Sequence, residues 1–311
     1  MVKAESPKQI QKLRVAAEQG DVSAQFMLGG IYFKGEGIKQ DYTEAAKWYR
    51  LVADQQDNIP SNLVYATAQF FLGFMYDEGK GVKQDYAEAA KWYHLVAEQG
   101  IVIMDSPTSS NLVYTAAQFR LGNMHDEGNG VKQDYAEALK WYRLAADQGY
   151  AKAELFIGLM YHDGKGVDHN DAEAVKWYRL AAEKGFAGAQ GILGVMYDEG
   201  EGVKQDYAEA VKWYRLAAVQ GDATAQLNLG VAYANGKGVR QSYAESVKYF
   251  RLAAAQREAT AQYNLGVAYE YGSGVKQNTA AAKEWFGKAC DNGNQNGCDA
   301  YRKLNMPKNR Q

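Results

Sequence analysis

The sequence predicts an all-α fold: a right-handed α/α superhelical solenoid of seven helix-turn-helix repeats with a capping half repeat at each end. Three observations lead there. A glycine preceded by leucine, or by Ile157 in one copy, stands at Gly29, Gly73, Gly122, Gly158, Gly194, Gly230 and Gly266, and from Gly122 onward the step is 36 residues each time. A Gly-x-Gly triplet and then an aromatic pair follow at fixed distances in every copy. No stretch alternates apolar and polar residues with period two, the mark of a half-buried strand. Tandem units of this length bury their apolar faces against neighbouring copies, so no single central core is expected.

The first element is a half repeat at residues 6–20. Ser6-Pro7 opens a helix, and its Val15-Ala16-Ala17 matches Leu216-Ala217-Ala218, but Lys12 stands where Trp213 would be. Seven full repeats follow at about 21–56, 57–100, 101–149, 150–185, 186–221, 222–257 and 258–293, and the whole of 1–311 reads as one repeat domain.

The fifth copy shows how a repeat is built. From Ala187 to Asp198, residues Ala189, Ile192, Leu193, Met196 and Tyr197 fall three or four apart, which lines one face of a helix, here called A. Gly200-Glu201-Gly202 ends it, because glycine enters the left-handed region without a Cβ penalty. Asp206 opens helix B, and Glu209 three residues on suggests a capping box, in which each side chain satisfies a backbone N–H of the other. The signal returns as Asp41/Glu44, Asp85/Glu88, Asp134/Glu137, Asn170/Glu173 and Ser242/Glu245, each with a lysine three residues after the glutamate. Such exposed pairs add ~0.2–0.5 kcal/mol each.

A glycine inside a helix costs roughly 0.5–1 kcal/mol relative to alanine, so its regular return implies a compensating contact. The aromatic pairs of helix B, from Trp48-Tyr49 to Trp285-Phe286, supply it: large rings on one hairpin are expected to slot against the bare backbone of the next.

The first two steps of the array are longer, 44 and 49 residues, and both insertions carry nearly the same segment, Ser61 to Tyr65 and Ser110 to Tyr114. It reads as a serine cap and one added turn on helix A. The longer insertion adds an apolar run, Ile101, Val102, Ile103 and Met104, in a loop that must fold back or meet a partner. Arg257 occupies the place of Gly221, where a left-handed backbone would strain it, so a locally different turn is expected there. Residues 294–305 form the closing half repeat, with Arg302 on the packing-glycine position.

Composition limits the functions. The chain has 311 residues, 47% of them apolar, and a net charge of −2, so nothing draws it to nucleic acid or an anionic membrane. No apolar run reaches the length of a membrane span, and no charged n-region followed by an apolar h-region marks a leader. A monomer without cofactor is expected. No catalytic constellation emerges either. His94, His125, His162 and His169 are scattered, and the nearest two, His162 and His169, lack a third ligand at metal spacing. The Gly-x-Gly turns, seven times repeated, suit helix termination better than phosphate binding.

These residues resemble the Sel1-like repeat family, related to the tetratricopeptide repeat. The pattern is Ala-x-x-x-Leu-Gly-x-x-Tyr, whole at Ala225 to Tyr233, and Ala-x-x-Trp-Tyr-x-x-Ala-Ala, whole at Ala210 to Ala218. The resemblance covers nearly the entire chain and implies a non-enzymatic adaptor that binds a protein or peptide. It also implies that helix A lines the concave surface of the array. On that face fall Phe70, Phe74 and Asp77 in the second copy, Phe119, Asn123 and Asp126 in the third, Leu159, His162 and Asp163 in the fourth, and Asp198 in the fifth. The expected partner is a segment carrying Lys or Arg, with Phe70, Phe74 and Phe119 as aromatic anchors and the aspartates as charge partners.

Cys290 and Cys298 lie eight residues apart. This spacing resembles the cysteine-rich Helicobacter branch of the family, which implies a disulfide and a periplasmic or secreted location; free thiols, and hence the cytoplasm, are the alternative. A bridge would stabilise the carboxyl end by ~2–3 kcal/mol on the chain-entropy model. The same branch implies a second function, binding of a cell-wall-related or β-lactam ligand with weak hydrolase activity, although no serine, cysteine or lysine has a credible base beside it in sequence.

Overall fold

The computed structural model describes residues 6–55, 63–102 and 112–306. Among these the chain is helical throughout, with no strand. Helix α1 (Pro7–Glu18) is the opening half repeat. Helices A and B then alternate: α2 (Val22–Lys34) and α3 (Tyr42–Ala53), α4 (Leu63–Glu78) and α5 (Tyr86–Val102), α6 (Leu112–Glu127) and α7 (Tyr135–Asp147), α8 (Ala151–Asp163) and α9 (Asp171–Glu183). They continue as α10 (Ala187–Glu199) and α11 (Tyr207–Val219), α12 (Ala223–Asn235) and α13 (Tyr243–Ala255), α14 (Ala259–Tyr271) and α15 (Thr279–Asp291), closed by α16 (Gln295–Asn305). This is a solenoid of tandem hairpins with a terminal half repeat at each end. The chain falls into two units, Met1–Ile157 with Lys165–Val167, and Gly158–Gly164 with Asp168–Gln311.

Each hairpin closes on its own glycine. An added Cβ at Gly29 would lie 2.7 Å from Tyr49 Cε1, and one at Gly194 2.5 Å from Tyr214 Cδ1. The ring of helix B therefore lies flat on the bare backbone of helix A in the same repeat, not on the next repeat as the sequence suggests. The tryptophan one residue earlier makes the contact between repeats. Trp48 joins the core formed with α1 and α2, Trp92 the core of α3 and α4, and Trp141 that of α5 and α6. In the first three repeats one aromatic of the pair thus holds its hairpin together while the other faces the preceding one.

The Gly-x-Gly turns work in two steps. The first glycine ends helix A in the left-handed region, as Gly200 does at φ 79. The second sits on the start of the preceding helix B: a Cβ at Gly202 would strike the backbone of Asp171 and Ala172, and one at Gly81 that of Tyr42 and Thr43. Only glycine allows that approach.

Helix B starts at the predicted caps, with Asp41 Oδ1 accepting from Glu44 N at 3.0 Å and Asp206 Oδ1 from Glu209 N at 3.0 Å. The reciprocal half of the capping box is not formed there. The backbone N–H of Asp206 already donates to the Tyr197 carbonyl at 2.9 Å, as that of Asp41 does to Tyr32 at 3.0 Å. Glu209 instead pairs with Lys212 at 2.6 Å, and Glu44 with Lys47 at 2.5 Å. A full box is formed at α1, where Ser6 and Gln9 cap each other.

A buried glutamine ladder, unread in the sequence, joins successive repeats. Gln190 Nε2 donates to the Ala182 carbonyl of the previous helix B at 2.9 Å, and its Oε1 accepts from Gln220 Nε2 at 2.9 Å. Gln226 repeats this with Ala218 at 3.1 Å and Gln256 at 3.0 Å, and Gln262 with Ala254 at 3.2 Å and Asn292 at 2.9 Å. A buried amide placed so that donor and acceptor are both used avoids the penalty of an unpaired polar group.

Arg257 corrects another expectation. It adopts φ 67 and keeps the turn its glycine counterparts make, with Arg257 N bonded to the Ala254 carbonyl at 3.0 Å as Gly221 N is to Ala218 at 3.1 Å. Helices α4 and α6 each have 16 residues against the 13 of α10, which is the added turn expected from the insertions; their serine caps lie outside the described residues. Helix α5 runs to Val102, so Ile101 and Val102 belong to a helix and not to a loop, while Ile103 and Met104 lie outside the described residues. Cys290 and Cys298 form a disulfide between α15 and α16, their α-carbons 4.4 Å apart.

Candidate binding surface

In the first unit, Phe70, Phe74 and Asp77 share one face of α4, spaced as i, i+4 and i+7. Both phenylalanines are half-buried. The Phe70 ring lies 5.6 Å from Tyr93, and that of Phe74 lies 6.0 Å from Phe33. Edge and tilted contacts of this kind hold aromatic rings in fixed orientations.

Asp77 is already engaged. Arg120 Nη1 approaches Oδ2 at 3.5 Å and Tyr93 Oη donates to it at 3.3 Å. Burial pushes its carboxyl pKa up, partly offset by Arg120 and the Tyr93 hydroxyl. The Arg120 guanidinium also lies 5.9 Å from the Phe74 ring centre, with Lys80 Nζ at 4.7 Å. Two cations thus already face the Phe74 ring. Sequence reasoning missed both, although Arg120 had a signal: its place two residues before the Leu-Gly glycine holds Met27, Phe71, Phe156, Ile192, Asn228 and Asn264 elsewhere.

On α6, Phe119 is only 8% exposed, enclosed by Tyr142, Tyr150 and Phe156 at 5.2–5.7 Å. Asn123 Oδ1 accepts from Tyr142 Oη at 2.8 Å. The carbonyl of Asp126 accepts from Gln133 Nε2 at 2.7 Å, a helix-end cap that recurs with Gln84 on Asp77 and Gln205 on Asp198. Burial raises the Tyr142 pKa, and the nearby Asp126 and Glu127 raise it further.

In the second unit, Leu159 is half-buried and Asp163 exposed at the end of α8. His162 Nδ1 lies 2.6 Å from Asp171 Oδ1, and His169 Nε2 3.2 Å from Asp171 Oδ2. His169 Nδ1 also meets the His162 carbonyl, the task that Gln205 performs one repeat later. Its identity is thus explained by helix capping. Among the described residues no group of three or more His, Cys, Asp or Glu side chains is placed to hold a metal ion, and no helix is long and apolar enough to cross a membrane. Asp198 lines a small recess with Asn228, Val231, Ala232 and Lys237.

Comparison with known proteins places the repeats. The Sel1 repeat matches seven times, at residues 22–57, 66–101, 115–150, 151–186, 187–222, 223–257 and 259–294. No curated protein sequence matches the chain. Among solved structures, the chain is similar to c5321, a protective antigen of uropathogenic Escherichia coli, with 37% identity and a TM-score of 0.84 over 97% of this chain and 61% of that one. A Sel1 repeat protein from Oxalobacter formigenes is similar at 32% identity and a TM-score of 0.75, over 96% of this chain and 80% of the other. The chain thus spans less than two thirds of the length of the E. coli protein.

Proposed function

From the premise that this chain belongs to the Sel1 repeat family, whose solenoid is typical of protein–protein interaction scaffolds, we propose a non-enzymatic scaffold that holds an extended protein or peptide segment along the A helices. The contact surface in the first unit is the α4 face with Phe70 and Phe74. One observation carries this reading: two phenylalanines remain half-buried yet are locked by Tyr93 and Phe33 before any partner arrives. Preformed surfaces of this kind lose less conformational entropy on association. The α6 face, with Asn123 and Asp126, continues it, and Leu159, His162, Asp163 and Asp198 are the corresponding positions of the second unit.

The partner segment is basic in this proposal, drawn by exposed acids at the helix ends, Glu78 and Glu127. Asp77 is unsuited to the charge test, because reversing it also breaks its contact with Arg120. The Cys290–Cys298 bridge supports an oxidising compartment, periplasmic or outside the cell.

The test is affinity capture from native extract with wild type and a Phe70→Ala/Phe74→Ala variant, followed by titration of the captured partner. Loss of the partner, with unchanged helicity and melting of the variant, supports the proposal; the same partner held with equal affinity overturns it. A Glu78→Lys/Glu127→Lys variant should weaken binding about 5–20-fold, with less salt dependence than wild type.

A further inference from the structure

A cavity of about 250 Å³ opens in the second unit, where α12, α13 and α14 meet. It exists because the sixth and seventh repeats depart from the pattern of the others. Ser246 stands where every other repeat has alanine, such as Ala210 and Ala282. Ala268 stands where Met75, Met124, Met160 and Met196 fill the same position. Phe250 stands where the first five repeats have tyrosine.

These changes act together. Shortening methionine to alanine leaves room beside the Phe250 ring. In the preceding repeat Asn228 stands beside the Tyr214 hydroxyl; Asn264, 36 residues after Asn228, has a phenylalanine in that place instead. Ser246 is 2% exposed and lines the cavity. A buried hydroxyl in place of a methyl is destabilising unless something bonds to it. Six repeats carry a methyl at this position, so Ser246 gives the cavity wall a polar point to which a guest can bond.

The cavity also restricts the guest's chemistry. Its walls are mainly apolar, formed by Val247, Phe250, Val267 and Ala268, and no charged side chain lines it. A charged group would lose its hydration there without compensation. A wholly apolar group would make no use of Ser246. At the rim stand Asn235 and Asn264, the first exposed and the second half-buried. A carboxamide has one donor face and one acceptor face, which complements a peptide group. The volume lies below the ~300–1,000 Å³ of sites for whole small-molecule ligands, and suits one large side chain.

We propose that this cavity is a binding pocket for a tyrosine side chain presented by an extended peptide, with the phenol bonded to Ser246 and the flanking backbone to Asn235 and Asn264. It lies wholly in the second unit and does not depend on the Phe70 and Phe74 surface.

The experiment is protein-observed NMR titration with p-cresol, toluene, N-acetyltyrosinamide and N-acetylphenylalaninamide. Expected are saturable shifts at Val247 and Val267 with p-cresol, and tighter binding of the tyrosine amide than of the phenylalanine amide. Ala268→Met, which restores the residue of four other repeats, should abolish binding. Ser246→Ala, which restores the alanine of the other six, should weaken p-cresol about 5-fold and leave toluene unchanged, as expected for one hydrogen bond. Both variants place a residue that equivalent hairpins already accommodate, and Ser246→Ala reads the same site if Ala268→Met proves unstable. The proposal is overturned if p-cresol fails to bind wild type, if Ala268→Met with unchanged melting binds it as well, or if Ser246→Ala lowers toluene and p-cresol binding alike.

Discussion

At the bend that ends helix B of the sixth repeat, Arg257 takes a left-handed backbone that glycine takes in the equivalent bends, as at Gly185 and Gly221. Around those glycines no atom lies within 4 Å of an added Cβ, so an arginine side chain fits there without collision. The remaining penalty is torsional, roughly 1–2 kcal/mol for an L-residue in this region. Arg257→Gly should therefore stabilise the chain in urea denaturation by about 1 kcal/mol, less the flexibility glycine adds to the unfolded state; an unchanged or lower midpoint would show that the arginine side chain compensates for its backbone. The sequence suggests a remodelled turn because it reveals the mismatch but not the open space beside it. The same limit applies to Asp77, whose acidity and periodic position are legible while its engagement by Arg120, 43 residues away, is not.

The helices show which glycines are structural. In α10, Gly194 lies under the Tyr214 ring, whereas a Cβ at Gly191 would meet nothing closer than Asp222 Oδ1 at 3.7 Å. Opposite outcomes are expected from one substitution at two places three residues apart. Gly191→Ala should stabilise by ~0.5–1 kcal/mol through helix propensity. Gly194→Ala should destabilise by ~1–3 kcal/mol, because the ring must shift in a packed interior. Thermal melts of the two variants decide it, and equal effects would remove the ring-on-glycine contact from the account. Helix extents and starts were readable because caps and terminators are local signals. The capping boxes were misjudged because the N–H that would complete each one is taken by a carbonyl nine residues back, that of His125 for Asp134 and of a tyrosine in the other copies. The glutamine ladder went unread for a related reason: a buried polar residue in an apolar helix looks like noise until its partners, 8 residues before and 30 after, are brought to it.

For the chain as a whole, repeat number and terminal half repeats were visible in the sequence, since a period of 36 residues imposes the same contacts again and again; the cysteine bridge was expected only from the family resemblance, with free thiols as the alternative. The proposed binding surface was only partly visible. Which residues line helix A follows from spacing, but Phe119 proves enclosed, and the pocket at Ser246 arises from absences, a missing thioether and a missing phenol, that no motif marks. Because stability in such arrays is carried by neighbouring units, the Cys290–Cys298 bridge should act locally. Reduction should lower amide protection of α15 and α16 by ~2–3 kcal/mol and leave α10 to α13 nearly unchanged in hydrogen exchange; a uniform loss would mean that the second unit unfolds as one. The glycine seated on the preceding helix start has a further consequence. At this joint each copy meets main chain on the other side, while its tryptophan and glutamine contacts call on side chains that the repeats share. A duplicated or excised copy therefore finds a matching seat on any neighbour that keeps those few packing positions, and such a gene can gain or shed modules while leaving outward-facing positions free to diversify.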